Sequence, residues 1–289
     1  MAPISPLRIS HHDRALRSLD QLPPFSPILN RLLATLQREH ASIAEIAELI
    51  EKDTVLSGNV LRLVNSAAYG RRKTISSIRH AVSIIGIGKL RNIALSLSIS
   101  RMWTQIRSPQ GWCNTRFNLH AIATGLVCDL MAQELPAEYP EGAFVAGLFH
   151  DIGRFLIAVG LPDEYEEIEA LNCRSGRGLL ECEEEVLGIT HPELSVAALR
   201  RWNLPNPILR AVERHHAEER RTADETGTLP LGELLRVADL AVDRLGVTIE
   251  PPPAEVESPV ELLTGVGVQN PAALLQHFHQ DFDIIRSSF

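Results

Sequence analysis

Apolar residues return every three or four positions along most of this chain, and nothing in its first hundred residues alternates with the two-residue period of a strand long enough to build a sheet. The chain is therefore read as all-α, a bundle of many helices. Ile43, Ile46, Ala47, Leu49 and Ile50 share one helix face, with Ser42 as N-cap and Glu45 completing a capping box. Val55, Leu56, Val60, Leu61, Leu63 and Val64 continue the pattern after Asp53-Thr54. SIRHAVSIIG ends at Gly86, a glycine suited to a helix C-terminus, and IGKLRNIALSLSISRMW predicts a largely buried helix. The pattern breaks at TQIRSPQGWCN, where a Ser-Pro and a Gly interrupt it. The resulting organisation is a tail over 1–19, a helical subdomain over 20–105, a second over 106–247, and a Pro-rich connector with a terminal helix over 248–289. Within the second subdomain, helices are expected at TRFNLHAIATGLVCDLMAQEL, EGAFVAGLFHD, DEYEEIEAL, LLECEEEVLG, PELSVAALRRW, NPILRAVERHH and GELLRVADLAVDRLG, with Pro192 and Pro207 in first turns.

Composition narrows the function. With 289 residues and 45% apolar content, the chain can fill the cores of two ordinary domains. Its net charge of −8 disfavours nucleic acid and anionic membranes as partners. Cys113, Cys128, Cys173 and Cys182 form no CxxC pair and read as reduced thiols. No apolar run reaches the ~18 residues of a membrane span, and MAPISPLRISHHDR lacks an apolar leader region. A cytoplasmic protein without membrane insertion is expected.

Metal-binding side chains recur through the second half: His120, His150-Asp151, His191, His215-His216 and Asp239. The intervals of 23 to 40 residues leave room for a helix and its connection, so separate helices could converge these groups on one pocket. Imidazole nitrogen with carboxylate oxygen suits divalent Fe, Mn, Co, Ni or Zn, whereas Ca and Mg favour all-oxygen sites. Successive helical residues point about 100° apart, so His150 and Asp151 can share an ion only where the helix ends or bends, and Ile152-Gly153 supplies that place. A carboxylate there can bridge two ions. A lone histidine such as His120 in NLHAIA is ordinarily a hydrogen-bonded core residue, and His11-His12-Asp13 shows how readily ligand-like clusters arise by chance. Order and context distinguish the later set, since FHDIG follows an apolar run. The acidic EYEEIEA and ECEEEV read as exposed helix faces, and Asn65, Ser66 and Gly70 as residues that cap and turn the chain.

The order His120, His150-Asp151, Asp239 resembles the signature of the HD superfamily of metal-dependent phosphohydrolases, and His191 with His215-His216 is similar to the second-metal ligands of its HD-GYP branch, which degrades cyclic di-GMP. Arg154 stands where that branch has a lysine on substrate phosphate. The Gly-Tyr-Pro element is absent after His215-His216, and Arg116 stands where some members carry a further carboxylate ligand. These departures argue against cyclic di-GMP hydrolysis by the standard route. The opening half resembles HDOD domains, the HD-related output domains of bacterial signalling: LPPFSPILNRLL, the Ile-x-x-Asp step ending at Asp53, Asn65-Ser66-Ala67 before Tyr69-Gly70, and Ala81 to Gly86. AGLFHDIGRFLI, THPELSVAALRRWNLP and AVERHHA continue it, so it spans roughly residues 20–245.

That resemblance implies an HD-like bundle with an N-terminal helical subdomain, signalling proteins as partners, and one or two divalent transition-metal ions held by His120, His150, Asp151, His191, His215, His216 and Asp239. Three functions follow: a non-enzymatic regulatory or adaptor module that keeps the pocket, a phosphohydrolase acting on a nucleotide with Asp151 and Arg154 as catalytic residues, or a purely structural helical module.

Overall fold

A computed structural model of the chain describes residues 10–22, 24–37, 43–65, 74–217, 223–250 and 258–287, and the described residues are helical with no strand beyond an isolated Ala137–Leu229 bridge. Helices α1 (His11–Ser18), α2 (Pro27–Ala34), α3 (Ile43–Glu51), α4 (Thr54–Val64), α5 (Ile78–Ile85) and α6 (Ile87–Trp103) form the first group. Ile46, Ala47, Leu49 and Ile50 are the buried face of α3, as the spacing predicts, while the expected Ser42 cap lies outside the described residues. Asp53 caps α4, its Oδ1 accepting from the amides of Val55 and Leu56 at 2.9 Å. Asn65 closes that helix: its Nδ2 donates to Leu61 O and Ile75 O, and its Oδ1 accepts from Ile75 N at 2.7 Å. This is the structural role expected of it; Ser66 and Gly70 are not among the described residues. Gly86, at φ 80°, ends α5 and lets α6 leave in a new direction.

The second group comprises α7 (Asn114–Glu134), α8 (Ala143–Phe149), α9 (Ile152–Gly160), α10 (Pro162–Ser175), α11 (Leu179–Leu187), α12 (His191–Arg201), α13 (Asn206–Glu213), α14 (Leu231–Arg244), α15 (Val260–Val266) and α16 (Pro271–Arg286). Helix α7 is central and touches α6, α8, α14 and α16. It meets α8 at two glycines, where a Cβ on Gly147 would lie 2.5 Å from Gly125 Cα, so the helices approach to backbone contact. Trp103 of α6 packs on Phe155 of α9 at 4.5 Å, and Phe155 stacks on Phe117 of α7 at 5.3 Å. Burying each such ring contributes about 1.5–3 kcal/mol, and together they join the two groups.

Two expectations change. Residues 11–18, read as part of a tail, form an amphipathic helix against α9, α11 and α12, with His11 and Arg14 on the buried Glu164 carboxylate. The run Pro140–Gly160 is apolar and helical enough by composition to cross a membrane, with mean hydropathy 1.5, but 89% of it is buried in the protein and it breaks at His150-Asp151.

Candidate metal centre

Every residue expected in the pocket arrives there from a different local device. His120 projects from the middle of α7 and Asp239 from the inner stripe of α14. Helix α8 stops at Phe149, Asp151 takes φ −101°, ψ 16°, and α9 begins at Ile152. The break lets His150 and Asp151 face the same space. Ser195 of α12 stabilises the break, its hydroxyl donating to His150 O and accepting from Gly153 N, both at 2.8 Å. Gly153 is required by closeness: a Cβ there would sit 2.1 Å from His191 O. His191 opens α12, and α13 ends at Glu213, so His215 and His216 lie in the turn after the helix rather than on it as the pattern suggests.

The four buried imidazoles are oriented alike. Nδ1 of His120, His150 and His215 contacts the carbonyls of Val247, Gly147 and Val212 at 2.8, 2.7 and 2.6 Å. Nδ1 of His191 meets the Glu183 carboxylate at 2.9 Å. A carbonyl or carboxylate only accepts, so each Nδ1 carries a hydrogen and each Nε2 is left to face the pocket. There the Nε2 atoms meet further acceptors. His120 Nε2 lies 3.3 Å from His150 Nε2, and the two are 3.1 and 3.3 Å from Asp239 Oδ1. Asp151 Oδ2 completes this group at 3.5 Å from His150 Nε2. Its other oxygen, Oδ1, lies 3.2 Å from His191 Nε2 and 3.4 Å from His215 Nε2, and His216 Nε2 lies 3.1 Å from His191 Nε2. Asp151 thus presents one oxygen to each of two adjoining clusters.

Such a set is deficient in positive charge. Asp151 Oδ1 and His215 Nε2 are buried without a hydrogen-bond partner, a costly state for polar atoms. Burial alone would lower His120 and His191, yet Asp239 and Asp151 for the first, and Glu183 and Asp151 for the second, raise both to about 9. Burial pushes the Asp151 and Asp239 carboxyls up, and the surrounding histidines overcome it and hold both well below the usual carboxylate range. His215 is lowered, chiefly by burial. Acceptor atoms 3.1–3.4 Å apart suit a polyhedron with metal–ligand distances of about 2.0–2.2 Å. The side chains therefore fit a divalent cation, and imidazole with carboxylate favours a transition metal over Ca or Mg.

Most of the pocket is buried. His120, His150, Asp151, His191, His215 and Asp239 are at most 5% exposed, and His216 alone of the set is exposed. Arg154 lies over Asp151, with Nη1 3.5 Å from Oδ2, and also pairs with Glu250.

Sequence reasoning missed Glu183, Ser195, Asp243 and Glu250. ECEEEV is not uniformly an exposed face: Glu183 is 2% exposed and accepts from His191 N at 2.8 Å. The signal was present, since Leu179, Cys182, Glu183, Val186 and Leu187 follow the spacing of an apolar stripe with one carboxylate in it. Asp243, 3.7 Å from His120 Nδ1, is raised to about 6 by burial and by Asp239.

The HDOD domain family model matches residues 22–218. Among solved structures, an HDOD domain protein of unknown function from Geobacter sulfurreducens is 22% identical, with 95% of this chain and 96% of that one covered at a TM-score of 0.72. A candidate phosphohydrolase from Shewanella amazonensis SB2B is 22% identical, with 96% and 98% covered at 0.71. A candidate signal transduction protein from Marinobacter aquaeolei VT8 is 17% identical, with 96% and 64% covered at 0.69. At these identities the likeness shows a shared fold. An uncharacterized protein from Treponema pallidum (strain Nichols) is 25% identical over 200 residues, 68% of this chain and 38% of the relative. The uncharacterized protein YuxH of Bacillus subtilis (strain 168) is 27% identical over 137 residues, 47% of this chain and 31% of the relative. The chain thus spans about a third of the length of the curated relatives it matches.

Proposed function

Since this chain belongs to the HDOD domain family, we propose that it is a bacterial signal-transduction module whose HD-type pocket holds one or two divalent transition-metal ions as a structural or sensory element, without turnover. The observation that carries this reading is a set of inward-facing Nε2 and carboxylate atoms, two of them buried without hydrogen-bond partners, in a pocket whose side chains are buried except at His216. A bound cation would satisfy those atoms, and without it protons on His120 and His191 would have to take its place against the carboxylates. Occupancy would thereby couple to the packing of α7, α8, α12 and α14, the helices a signalling partner could read. His120, His150, Asp151 and Asp239 would hold one ion, and Asp151, His191, His215 and His216 a second.

A second reading rests on Asp151, whose two oxygens face the two clusters. A carboxylate shared between two ions is the arrangement that positions and activates water for attack on phosphorus. In that case the protein is a metal-dependent phosphohydrolase of a nucleotide, with Arg154 on the phosphate.

One experiment separates the two. Protein loaded with Mn²⁺ or Fe²⁺ is assayed with bis-p-nitrophenyl phosphate and with a cyclic dinucleotide. The regulatory reading expects retained metal and no hydrolysis; metal-dependent hydrolysis abolished by Asp151→Ala would transfer the assignment to the phosphohydrolase.

A further inference from the structure

Residues 246–250 form a strap from the end of α14 across the edge of the pocket. Gly246, at φ 74°, turns the chain, and Val247 N donates to Val242 O at 3.2 Å. Val247 O accepts from His120 Nδ1, Ile249 is 5% exposed, and Thr248 Oγ1 donates to Glu250 O at 2.8 Å. Within the strap, the Glu250 carboxylate rests on the Arg154 guanidinium. The Arg154 side chain is 13% exposed and that of Glu250 45%, so the cation lies inside and the carboxylate reaches it from the solvent edge. The strap lies beyond the residues matched by the family, 22–218.

We propose that Glu250 is an internal competitor for an anion: its carboxylate occupies the seat that Arg154, beside Asp151, offers to a phosphate-bearing ligand. A guanidinium binds carboxylate and phosphate oxygens in the same geometry, and with Nη1 already beside Asp151, Glu250 and a phosphate compete for the Nη2 edge. Val247 and Ile249 anchor the strap, whereas the Glu250 side chain is 45% exposed, so its carboxylate can leave Arg154 while the His120 contact stays in place. An arriving anion also meets Asp151, Asp239 and Asp243, whose charge a bound cation would offset beyond what the histidines do. The inference therefore rests on the metal-holding reading of the pocket.

The test uses the full chain loaded with Mn²⁺ and inorganic phosphate as probe, measured by titration calorimetry on wild type, Glu250→Gln and the Glu250→Gln/Arg154→Gln pair. Removing the competing charge is expected to tighten phosphate binding about tenfold, with the gain lost in the double variant. Equal affinity in wild type and Glu250→Gln overturns the proposal, as does a gain that survives loss of Arg154. Metal content is measured on the same samples. A chain that takes up no Mn²⁺ contradicts the metal reading itself, and the strap is then judged by hydrogen exchange in metal-free protein. Arg154→Gln is expected to speed exchange of the Glu250 amide about tenfold and to leave that of Val247 unchanged, and unchanged exchange at Glu250 overturns the latch.

Discussion

Glu183 is the residue on which the orientation of His191 depends, and its removal has a calculable cost. The carboxylate is 2% exposed; Oε2 accepts from His191 N at 2.8 Å, and both oxygens lie 2.9 Å from His191 Nδ1. Each charge-assisted bond contributes about 1.5–3 kcal/mol, and truncation also leaves two buried donors without acceptors. Glu183→Ala should therefore destabilise the fold by about 3–5 kcal/mol. Glu183→Gln keeps the shape and one acceptor oxygen, so its stability loss should be about 1–2 kcal/mol. Its amide nevertheless confronts a donor, which releases the His191 ring. Loss of such an outer partner weakens metal binding about 10–100-fold. Urea unfolding of metal-free protein measures the first effect, and competition with a chelating dye the second. Glu184→Gln, on the exposed side of the same helix, serves as the control and should change neither. Wild-type metal affinity and stability in Glu183→Gln would refute the argument that Glu183 sets the ring.

Metal-free protein should lose stability as pH rises from 6.5 through about 9, because burial lowers His120 and His191 but the carboxylates beside them raise both to about 9 from the ordinary 6.5. Their contribution is complete below pH 6.5 and gone above 9. Asp151 and Asp239, held below 3.8, contribute above that value and lose their contribution as pH falls further. A urea midpoint flat between pH 6.5 and 9 contradicts these shifts, and metal-loaded protein should show no such decline, since the ion replaces the protons. Gly153→Ala places a Cβ 2.1 Å from His191 O and should cost about 3 kcal/mol or more. Gly176→Ala, in open space at φ 65°, should cost about 1 kcal/mol; similar thermal shifts for the two would contradict the close contact. Asn65→Ala removes bonds to Leu61 and Ile75 and should cost about 2 kcal/mol without changing metal content. Metal loss in that variant would instead tie α4 to the pocket.

The helices were legible because their boundaries are encoded locally. Asp53 caps α4, Gly86 separates α5 from α6, and Pro192 and Pro207 stand in first turns. The clustering of the His and Asp residues was legible through their order and through the bend that Gly153 permits. Glu183 and Glu250 were not, because a carboxylate's partner depends on packing between helices, and neighbouring acids in ECEEEV differ only in which face they occupy. The helix α1 was lost for the same reason: its polar sequence becomes interpretable only beside the buried Glu164 that Arg14 neutralises. The contact of His120 with Val247 O lies 127 residues away in sequence and involves a backbone carbonyl, which no residue type announces.

The central claim is that the inward Nε2 and carboxylate atoms exist to hold a cation. Elemental analysis of untagged wild-type protein beside Asp151→Ala tests it directly, since Asp151 belongs to both clusters. The account predicts about one or two equivalents of Fe, Mn, Co, Ni or Zn in the wild type and their loss in the variant. Absence of any transition metal from the wild type, after both aerobic and anaerobic reconstitution, would contradict it.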